Sequence, residues 1–478
     1  MERILSAQQM RMADEYTINT LKIPQEDLVY RAGKAVANEI IERFKGGRVL
    51  VCCGKGNNGE DGKVVAQILS KTHGFSVAML NVSNGIFKLL DKEYDIIVDC
   101  IFGIGLNRNV EGKYYQAIEK INNSGAYIVS CDIPSGLNAD NGKAQGISVK
   151  ANLTVAIQEL KLGHFLNDGL DYSGEVVFRD IGISVWSDDY VKKLNDCDVK
   201  RLFAKPNRNV NKGTFGKAVI FGGSKKYAGS SVLAYNALAA FKMGVGYTFL
   251  ALPESLYSVC LSICPECVLV SVKDDGENLV FDKEKIDKLL SYDSIAFGMG
   301  VGITQENYKI IEYLLTNYSG KLLIDADGLN TLSTYGKDIL RNKKCSVVLT
   351  PHVGEFSRLI GIDKKEILEN PISYAKAFAL EYGVTLLLKN AVSIITDGKE
   401  VFINTTGNSG MAKAGSGDVL SGLTAGLLAR KDDVLDCVSA SAYLFGKAGE
   451  KALEFENEYT MTASSLVKAL PMVINELC

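Results

Sequence analysis

The sequence predicts two consecutive α/β domains, each a mainly parallel sheet covered on both faces by helices. Three observations carry that expectation. The chain has 478 residues, and single cores stop growing beyond roughly 250–300 residues. Near-continuous apolar strands alternate with helical segments, the pattern of strands buried on both faces. A strand, a glycine-rich turn and a helix follow one another once in each half, the unit that sets a ligand at the carboxyl end of a strand.

Residues 6–44 carry two helices separated by Pro24. The second has Leu28, Ala32, Ala35, Val36, Ile40 and Ile41 at helical spacing. An apolar strand at 48–53 runs into Gly54-Lys55-Gly56-Asn57-Asn58-Gly59-Glu60-Asp61-Gly62, read as a turn, and then into a helix over 64–71. Strands are expected at 75–80, 94–99 and 126–132, with a helix at 113–122. This first half reads as a Rossmann-like three-layer domain and winds down near 179–182. The polar stretch 187–211, with Pro206, puts the boundary between domains 1–205 and 206–478. The second half restarts with a strand at 217–221, Gly222-Gly223-Ser224 and a helix over 230–242. Further strands are expected near 247–252, 294–297, 321–325, 346–350, 385–389 and 392–396, and a helix at 419–429.

Composition narrows the function classes. Basic residues number 53 against 56 acidic, a net charge of −3. No basic field marks a nucleic-acid partner. No run approaches ~18 apolar residues without a charge, so no membrane span is expected. Met1–Ser6 lacks the apolar run of a signal peptide, and a cytoplasmic protein is expected. Eleven cysteines are scattered along the chain, with Cys52, Cys53, Cys100 and Cys131 inside apolar runs. Buried free thiols explain that better than a disulfide framework. Cys264-Pro265-Glu266-Cys267 has the C-x-x-C form, but no second pair or nearby histidine completes a zinc site. His73 and His164 read as ordinary hydrogen-bonding residues.

In the first half, three loops after three strands converge on one sheet edge. They hold Asn57, Asn58, Glu60 and Asp61; Asp99 with Gly103-Ile104-Gly105-Leu106-Asn107-Arg108-Asn109; and Asp132 with Ser135. Glycines let backbone N–H groups approach a phosphate, and a following helix adds its positive end. Arg108 can clamp a diphosphate. Asn58, Asp99, Asp132 and Ser135 supply oxygens suited to a hard cation or a sugar hydroxyl. The same residue types also make plain turns and helix caps; their concurrence on one edge is what favours a site. The runs GKGNNGEDG, DCIFGIGLNRNV and CDIPSGLNADNG, with the helix Tyr30-Arg31-Ala32-Gly33-Lys34-Ala35-Val36-Ala37, resemble the NAD(P)H-hydrate epimerases over about residues 5–185. The resemblance implies substrate contacts at Asn57, Asn58, Gly59, Glu60, Asp61, Gly103, Ile104, Gly105, Leu106, Asn107, Arg108, Asn109 and Asp132. It implies potassium ligation by Asn58, Asp99 and Ser135. Asp132 is the candidate acid/base at the hydrated carbon. Glu60 stands where that family usually has glycine. A position needing φ > 0 would make glutamate costly there, and Lys63 offers a counter-charge.

The second half has Gly298-Met299-Gly300-Val301-Gly302, Asp325-Ala326-Asp327-Gly328-Leu329-Asn330, Thr350-Pro351-His352-Val353-Gly354-Glu355-Phe356 and Ala414-Gly415-Ser416-Gly417-Asp418. The last opens a helix, giving free N–H groups for a phosphate and a carboxylate, Asp418, at its edge. Phosphoryl transfer to an alcohol needs that pair. A plain capped helix start is the bland reading of the same residues. No Walker A pattern occurs. GTFGKAVIFGGS, GMGVG, DADGLN, LTPHVGEFSRL and NSGMAKAGSGDVLSGLTAGLLA resemble the NAD(P)H-hydrate dehydratases from about Lys212 to Leu470. That resemblance implies a ribokinase-like fold. It implies substrate contacts at Gly300, His352 and Asp418 and nucleotide contacts at Lys389, Asn390, Ala391, Val392, Ser393 and Gly417.

Together the two resemblances imply repair of hydrated nicotinamide cofactors, NADHX and NADPHX. One half interconverts the R and S epimers; the other dehydrates the S epimer with ADP, or ATP, and Mg²⁺. A homo-oligomer is expected. The residues leave open a second reading, a ribokinase-type alcohol kinase carrying a non-catalytic N-terminal binding module.

Overall fold

The computed structural model describes residues 2–477 apart from 86–87, 92, 187–188, 206, 240–243 and 264–266. Pro206, most of the C-x-x-C run and the end of the helix expected over 230–242 lie outside the described residues. Two compact units form, Glu2–Val191 and Lys192–Cys478. The second begins ahead of the expected boundary at 205/206 because the polar stretch folds back onto it. Leu194 N donates to Ile403 O at 3.1 Å, Tyr443 Oη to Asp196 Oδ1 at 2.6 Å, and Arg201 pairs with Asp436.

The first unit runs β1 (Glu2–Leu5), α1 (Ala7–Asn19), α2 (Gln25–Arg43), β2 (Gly47–Cys53), α3 (Asn57–Lys71), β3 (Phe75–Asn81), β4 (Ile96–Cys100), α4 (Gly112–Asn122), β5 (Tyr127–Cys131), β6 (Leu153–Ile157), β7 (Leu160–Lys161) and β8 (Glu175–Arg179). The six-stranded sheet is ordered β3-β2-β4-β5-β6-β8 and is parallel throughout. The chain leaves β2 for β3 and returns on the other side to β4. That reversal opens a crevice at the carboxyl ends of β2 and β4, where open α/β sheets take ligands. One core, with Val49, Val51, Val65 and Val98, lies under α2 and α3; another, with Leu50, Ile97 and Ile118, lies under α4.

The glycine-rich run is not a turn. α3 begins at Asn57, and the run supplies its first two turns. Glycine costs a helix about 1 kcal/mol relative to alanine, and close packing overrides that here. A Cβ on Gly59 would lie 2.3 Å from Gly54 O, and one on Gly62 would lie 2.8 Å from Cys53 Sγ. Glu60 has helical backbone, is absent from the positive-φ positions, and pairs with Lys63 at 2.7 Å on the exposed side. The strain expected of a glutamate there does not arise.

The second unit's sheet is ordered Val268–Val272, Tyr247–Pro253, Lys217–Phe221, Ser294–Phe297, Lys321–Ile324, Ser346–Leu349, Thr385–Leu388, Ser393–Thr396, Val401–Asn404. It is parallel as far as Thr385–Leu388, and its last two strands pair antiparallel. The order reverses between Lys217–Phe221 and Ser294–Phe297, so Gly222-Gly223 and Gly298–Gly302 flank the switch point of this sheet, the place where open α/β sheets take ligands. Gly223 N donates to Met299 O at 2.8 Å between these two segments. The helix Ser416–Leu428 is almost wholly buried beside this sheet. All nine described cysteines are free.

Candidate functional sites

The first crevice is a cavity of about 680 Å³. Its lining includes Asn57, Asn58, Asp61, Gly103, Ile104, Gly105, Leu106, Asn107, Arg108 and Asp132 among the residues expected from sequence. Gly59, Glu60 and Asn109 do not line it. Gly59 is spent on helix packing, and Glu60 faces outward toward Lys63.

Asp132 follows β5 with φ +67°, a left-handed conformation uncommon for a residue with a side chain. Three interactions hold it. Lys161, fully buried, makes an ion pair with Oδ1; Ile157 N donates to the same oxygen at 3.1 Å; His164 Nε2 lies 2.8 Å from the Asp132 carbonyl. His164 Nδ1 accepts from Lys161 N at 3.2 Å, so the proton sits on Nε2 and is donated to Asp132 O. Burial, with Lys161 nearby, lowers the His164 pKa to about 4 and keeps the ring neutral. Lys161 Nζ also donates to Ile157 O at 2.7 Å. A carboxylate, a buried ammonium and a neutral imidazole thus form one fixed unit at the cavity wall.

Beside it lies an oxygen cluster. Asn58 Nδ2 donates to Phe102 O at 2.8 Å, and Ser135 Oγ lies 3.2 Å from the same carbonyl. Asp99 accepts from Ser135 N at 2.8 Å, Ser130 Oγ at 2.9 Å and Ile101 N at 3.2 Å. Burial pushes the Asp99 pKa up against these bonds. Asn58 Oδ1 is buried without a hydrogen-bond partner. An orphaned acceptor in a shell of neutral oxygens and one carboxylate suits a hard cation.

In the second unit, Asp418 sits in the first turn of Ser416–Leu428, preceded by Gly415 at φ +90°. Its pKa is raised to about 7, mainly by burial and then by Asp325, against a hydrogen bond from Ser230 and the charge of Lys389. Lys389 Nζ pairs with Asp325 Oδ1 at 2.9 Å, and Ser421 Oγ donates to Asp325 Oδ2 at 2.5 Å. A Cβ on Gly417 would lie 3.5 Å from Lys389 Nζ, and one on Gly300 would lie 3.1 Å from Ser230 Cβ. His352 and Lys389 are bridge partners. His352 Nδ1 accepts from Gly354 N at 2.9 Å and Glu355 N at 3.2 Å, which leaves Nε2 as a donor. Burial and the nearby Lys389 and Arg358 lower its pKa. The structure therefore links Gly300, His352, Lys389, Gly417 and Asp418 into one neighbourhood. Asn390 and Ala391 are exposed in the turn between the strands Thr385–Leu388 and Ser393–Thr396. The Val392 side chain is buried, so only its backbone remains for a ligand.

Residues 218–472 match the family described as NAD(P)H-hydrate dehydratase, and 25–88 and 81–163 match the YjeF-related protein N-terminus. The bifunctional NAD(P)H-hydrate repair enzyme Nnr of Dictyoglomus turgidum is 30% identical over 514 residues, covering 99% of both chains. That of Pyrobaculum aerophilum is 32% identical over 512 residues, covering 99% of this chain and 98% of the relative. This chain belongs to the bifunctional NAD(P)H-hydrate repair enzymes. Among solved structures, the ADP/ATP-dependent NAD(P)H-hydrate dehydratase of Bacillus subtilis, co-crystallised with ATP/Mg²⁺, is 26% identical. It covers 61% of this chain and 100% of its own, with a TM-score of 0.53. A ribokinase-like superfamily protein of Enterococcus faecalis, 22% identical with a TM-score of 0.52, shares the fold. Full-length repair-enzyme relatives favour the repair reading over an alcohol kinase with a silent N-terminal module.

Within this family frame, the structure adds residues that sequence reasoning did not select. Lys161 and His164 support Asp132, and Asp14 of α1 lines the same cavity. Asp325, Ser421 and Ser230 surround Lys389 and Asp418. Of the first group, His164 stands out in the sequence only as one of three histidines.

Proposed function

We propose that this chain returns hydrated nicotinamide dinucleotides, NADHX and NADPHX, to use by two activities. The Glu2–Val191 unit interconverts the R and S epimers at C6 of the ring. The Lys192–Cys478 unit dehydrates the S epimer with ADP as cosubstrate, ATP being the alternative. The observation carrying this reading is the presence of two sheet reversals, each bordered by the expected site residues, in a chain matched end to end by bifunctional repair enzymes.

In the dehydratase half, the nucleotide's terminal phosphoryl group passes to the C6 hydroxyl, and Asp418 takes the hydroxyl proton. A carboxyl with a pKa of about 7 suits a base at neutral pH. The N–H groups that open Ser416–Leu428 cover the phosphoryl oxygens. The C6–O bond then breaks with phosphate as leaving group, a proton leaves C5, and the ring double bond returns. Mg²⁺, when bound, neutralises the phosphates. In the epimerase half, Asp132 serves as acid/base, held by Lys161 and His164. Potassium fits Asn58 Oδ1, Asp99 and Ser135, where it would satisfy the orphaned amide oxygen and steady the loop after β4. No described helix is long and apolar enough to cross a membrane, and buried free thiols support a reducing cytoplasm as the place of action.

The test is recovery of dihydronicotinamide absorbance from an epimer mixture, with ADP, Mg²⁺ and K⁺. Full recovery, faster than spontaneous epimerisation allows, is expected. Recovery that stops once one epimer is consumed would remove the epimerase assignment; none with ADP or ATP would remove the dehydratase assignment.

A further inference from the structure

The first cavity holds carboxyl groups that the cation cluster and Asp132 do not account for. Asp61 lines it from α3 and Asp14 from α1. Neither side chain has a hydrogen-bond or ion-pair partner among the described residues. The other interior carboxylates of this unit all have one: Asp99 from Ser130, Asp132 from Lys161, Glu39 from Arg179 and Glu159 from Arg3. An unpartnered carboxyl in a cavity wall is aimed at something the fold itself does not supply.

The backbone that carries Asp61 is clamped from two sides. A Cβ on Gly33 of α2 would lie 2.6 Å from Asp61 O, and Gly59 and Gly62 press α3 onto the strand ends. The backbone position of Asp61 is therefore set by packing before any ligand arrives, which helps place a reacting group.

We propose that Asp61 is a further catalytic residue of the epimerase half, the proton donor to the C6 hydroxyl, working opposite Asp132. This rests on the epimerase reading above. Burial, then the charges of Asp132, Asp14 and Glu60, hold the Asp61 carboxyl up at about 8, so it carries a proton at neutral pH. Lys161 beside Asp132, the Cys131 thiol, and the rim residues Arg11, Lys55, Arg108 and Tyr114 complete the titratable surroundings. Asp132 has its buried ammonium and Asp61 has none. Two carboxyls in one cavity with different partners can divide the work of acid and base.

The step balances without any further reactant. Asp61 gives its proton to the C6 hydroxyl oxygen. The C6–O bond breaks, its electron pair leaves with water, and the ring nitrogen's lone pair forms the N1=C6 iminium. Water adds to the other face of C6, the iminium pair returns to N1, and Asp132 takes the surplus proton. Water in the cavity carries that proton back to Asp61, and the reverse direction exchanges the two roles.

The test follows conversion of pure S epimer to R by the full chain without nucleotide, the spontaneous rate subtracted. The wild-type rate should fall as pH rises through about 8. Asp61→Asn should lower kcat by about 10²–10⁴-fold with KM within about threefold, with wild-type urea unfolding of the first unit as the folding control and ADP-driven dehydration by the other unit unchanged. Asp61→Glu should recover part of the rate and keep the alkaline limb. An Asp61→Asn chain within about threefold of the wild-type kcat would overturn the assignment alone. A wild-type chain that leaves the S epimer unchanged would overturn the epimerase reading and this assignment with it.

Discussion

Both halves set a lysine–aspartate pair next to a second carboxyl at a sheet reversal, yet they use the pair differently. In the first half the buried Lys161 holds Asp132, the acid/base candidate itself. In the second half Lys389 holds Asp325, a neighbour, and Asp418 stands apart with its pKa raised to about 7. The partner chosen matters to Asp418, because an opposite charge favours ionisation while burial and like charges oppose it. In the first half the cation is spent on the reacting group; in the second it is spent on a neighbour, and the reacting group titrates near neutrality.

The largest effect expected from that comparison is at Asp418. Asp418→Asn keeps the helix start and removes the base. ADP-driven dehydration of pure S epimer should fall by about 10²–10⁴-fold, while epimer interconversion is unchanged. Dehydration within about threefold of wild type would show that proton removal is not this residue's task.

Lys161→Met comes next. It keeps most of the side-chain volume and leaves the Asp132 carboxylate without its cation. Breaking a buried pair from one side costs about 3–5 kcal/mol, so the first unit should unfold at clearly lower urea and interconversion should be lost. Lys389→Met strands Asp325 in the same way, but Asp325 keeps the Ser421 hydrogen bond. The Asp418 pKa should rise there, because a cation has gone. A smaller stability loss at Lys389 than at Lys161 is expected in denaturant unfolding; equal losses would erase the proposed difference.

The pH dependence sharpens the contrast. Dehydration needs Asp418 as carboxylate, so its rate should fall as pH drops below about 7. Interconversion needs Asp61 protonated, so its rate should fall as pH rises through about 8. Both folded pKa values lie above the ordinary carboxylate value. Each group therefore contributes stability that is present at acid pH and lost as pH rises through its folded pKa. Asp418→Asn should accordingly stabilise the chain more at pH ~9 than at pH ~5. The paired limbs can be read from rates on each epimer across one buffer series, and parallel limbs would break the assignment.

How legible these sites were depends on what held each residue. The strand over 48–53 and the helix after Gly417 follow from apolar runs and capping chemistry, which are local. Asp132 and His352 sit in loops after strands and Asp418 in the first turn of a helix, placements readable from the order of elements. Lys161 was not legible. It is a lysine at the end of a short apolar run, a type that nearly always stays at the surface, and its burial follows from Asp132 lying 29 residues earlier in the chain. Asp325 was visible only as part of a run, since its partners Lys389 and Ser421 lie 64 and 96 residues away. The glycines of α3 misled for the opposite reason. Local propensity argues for a turn, and only the close approach of Gly59 to Gly54 O explains a helix.

The smallest expected effect tests whether the unusual glutamate matters at all. Glu60 stands where related epimerases usually have glycine, yet it is helical, outside the cavity lining and paired with Lys63. Glu60→Gly should leave interconversion within about twofold of wild type, because no wall of the site changes. Its cost falls on the helix. Glycine loses about 1 kcal/mol of helix propensity, and an exposed ion pair contributes about 0–1 kcal/mol. A negative charge in the first turn of a helix adds about 0.3–1 kcal/mol more. Urea unfolding of the first unit should therefore show a loss of about 1–3 kcal/mol. A tenfold gain in interconversion would instead show that Glu60 reaches the substrate, through a helix start that opens when the dinucleotide binds.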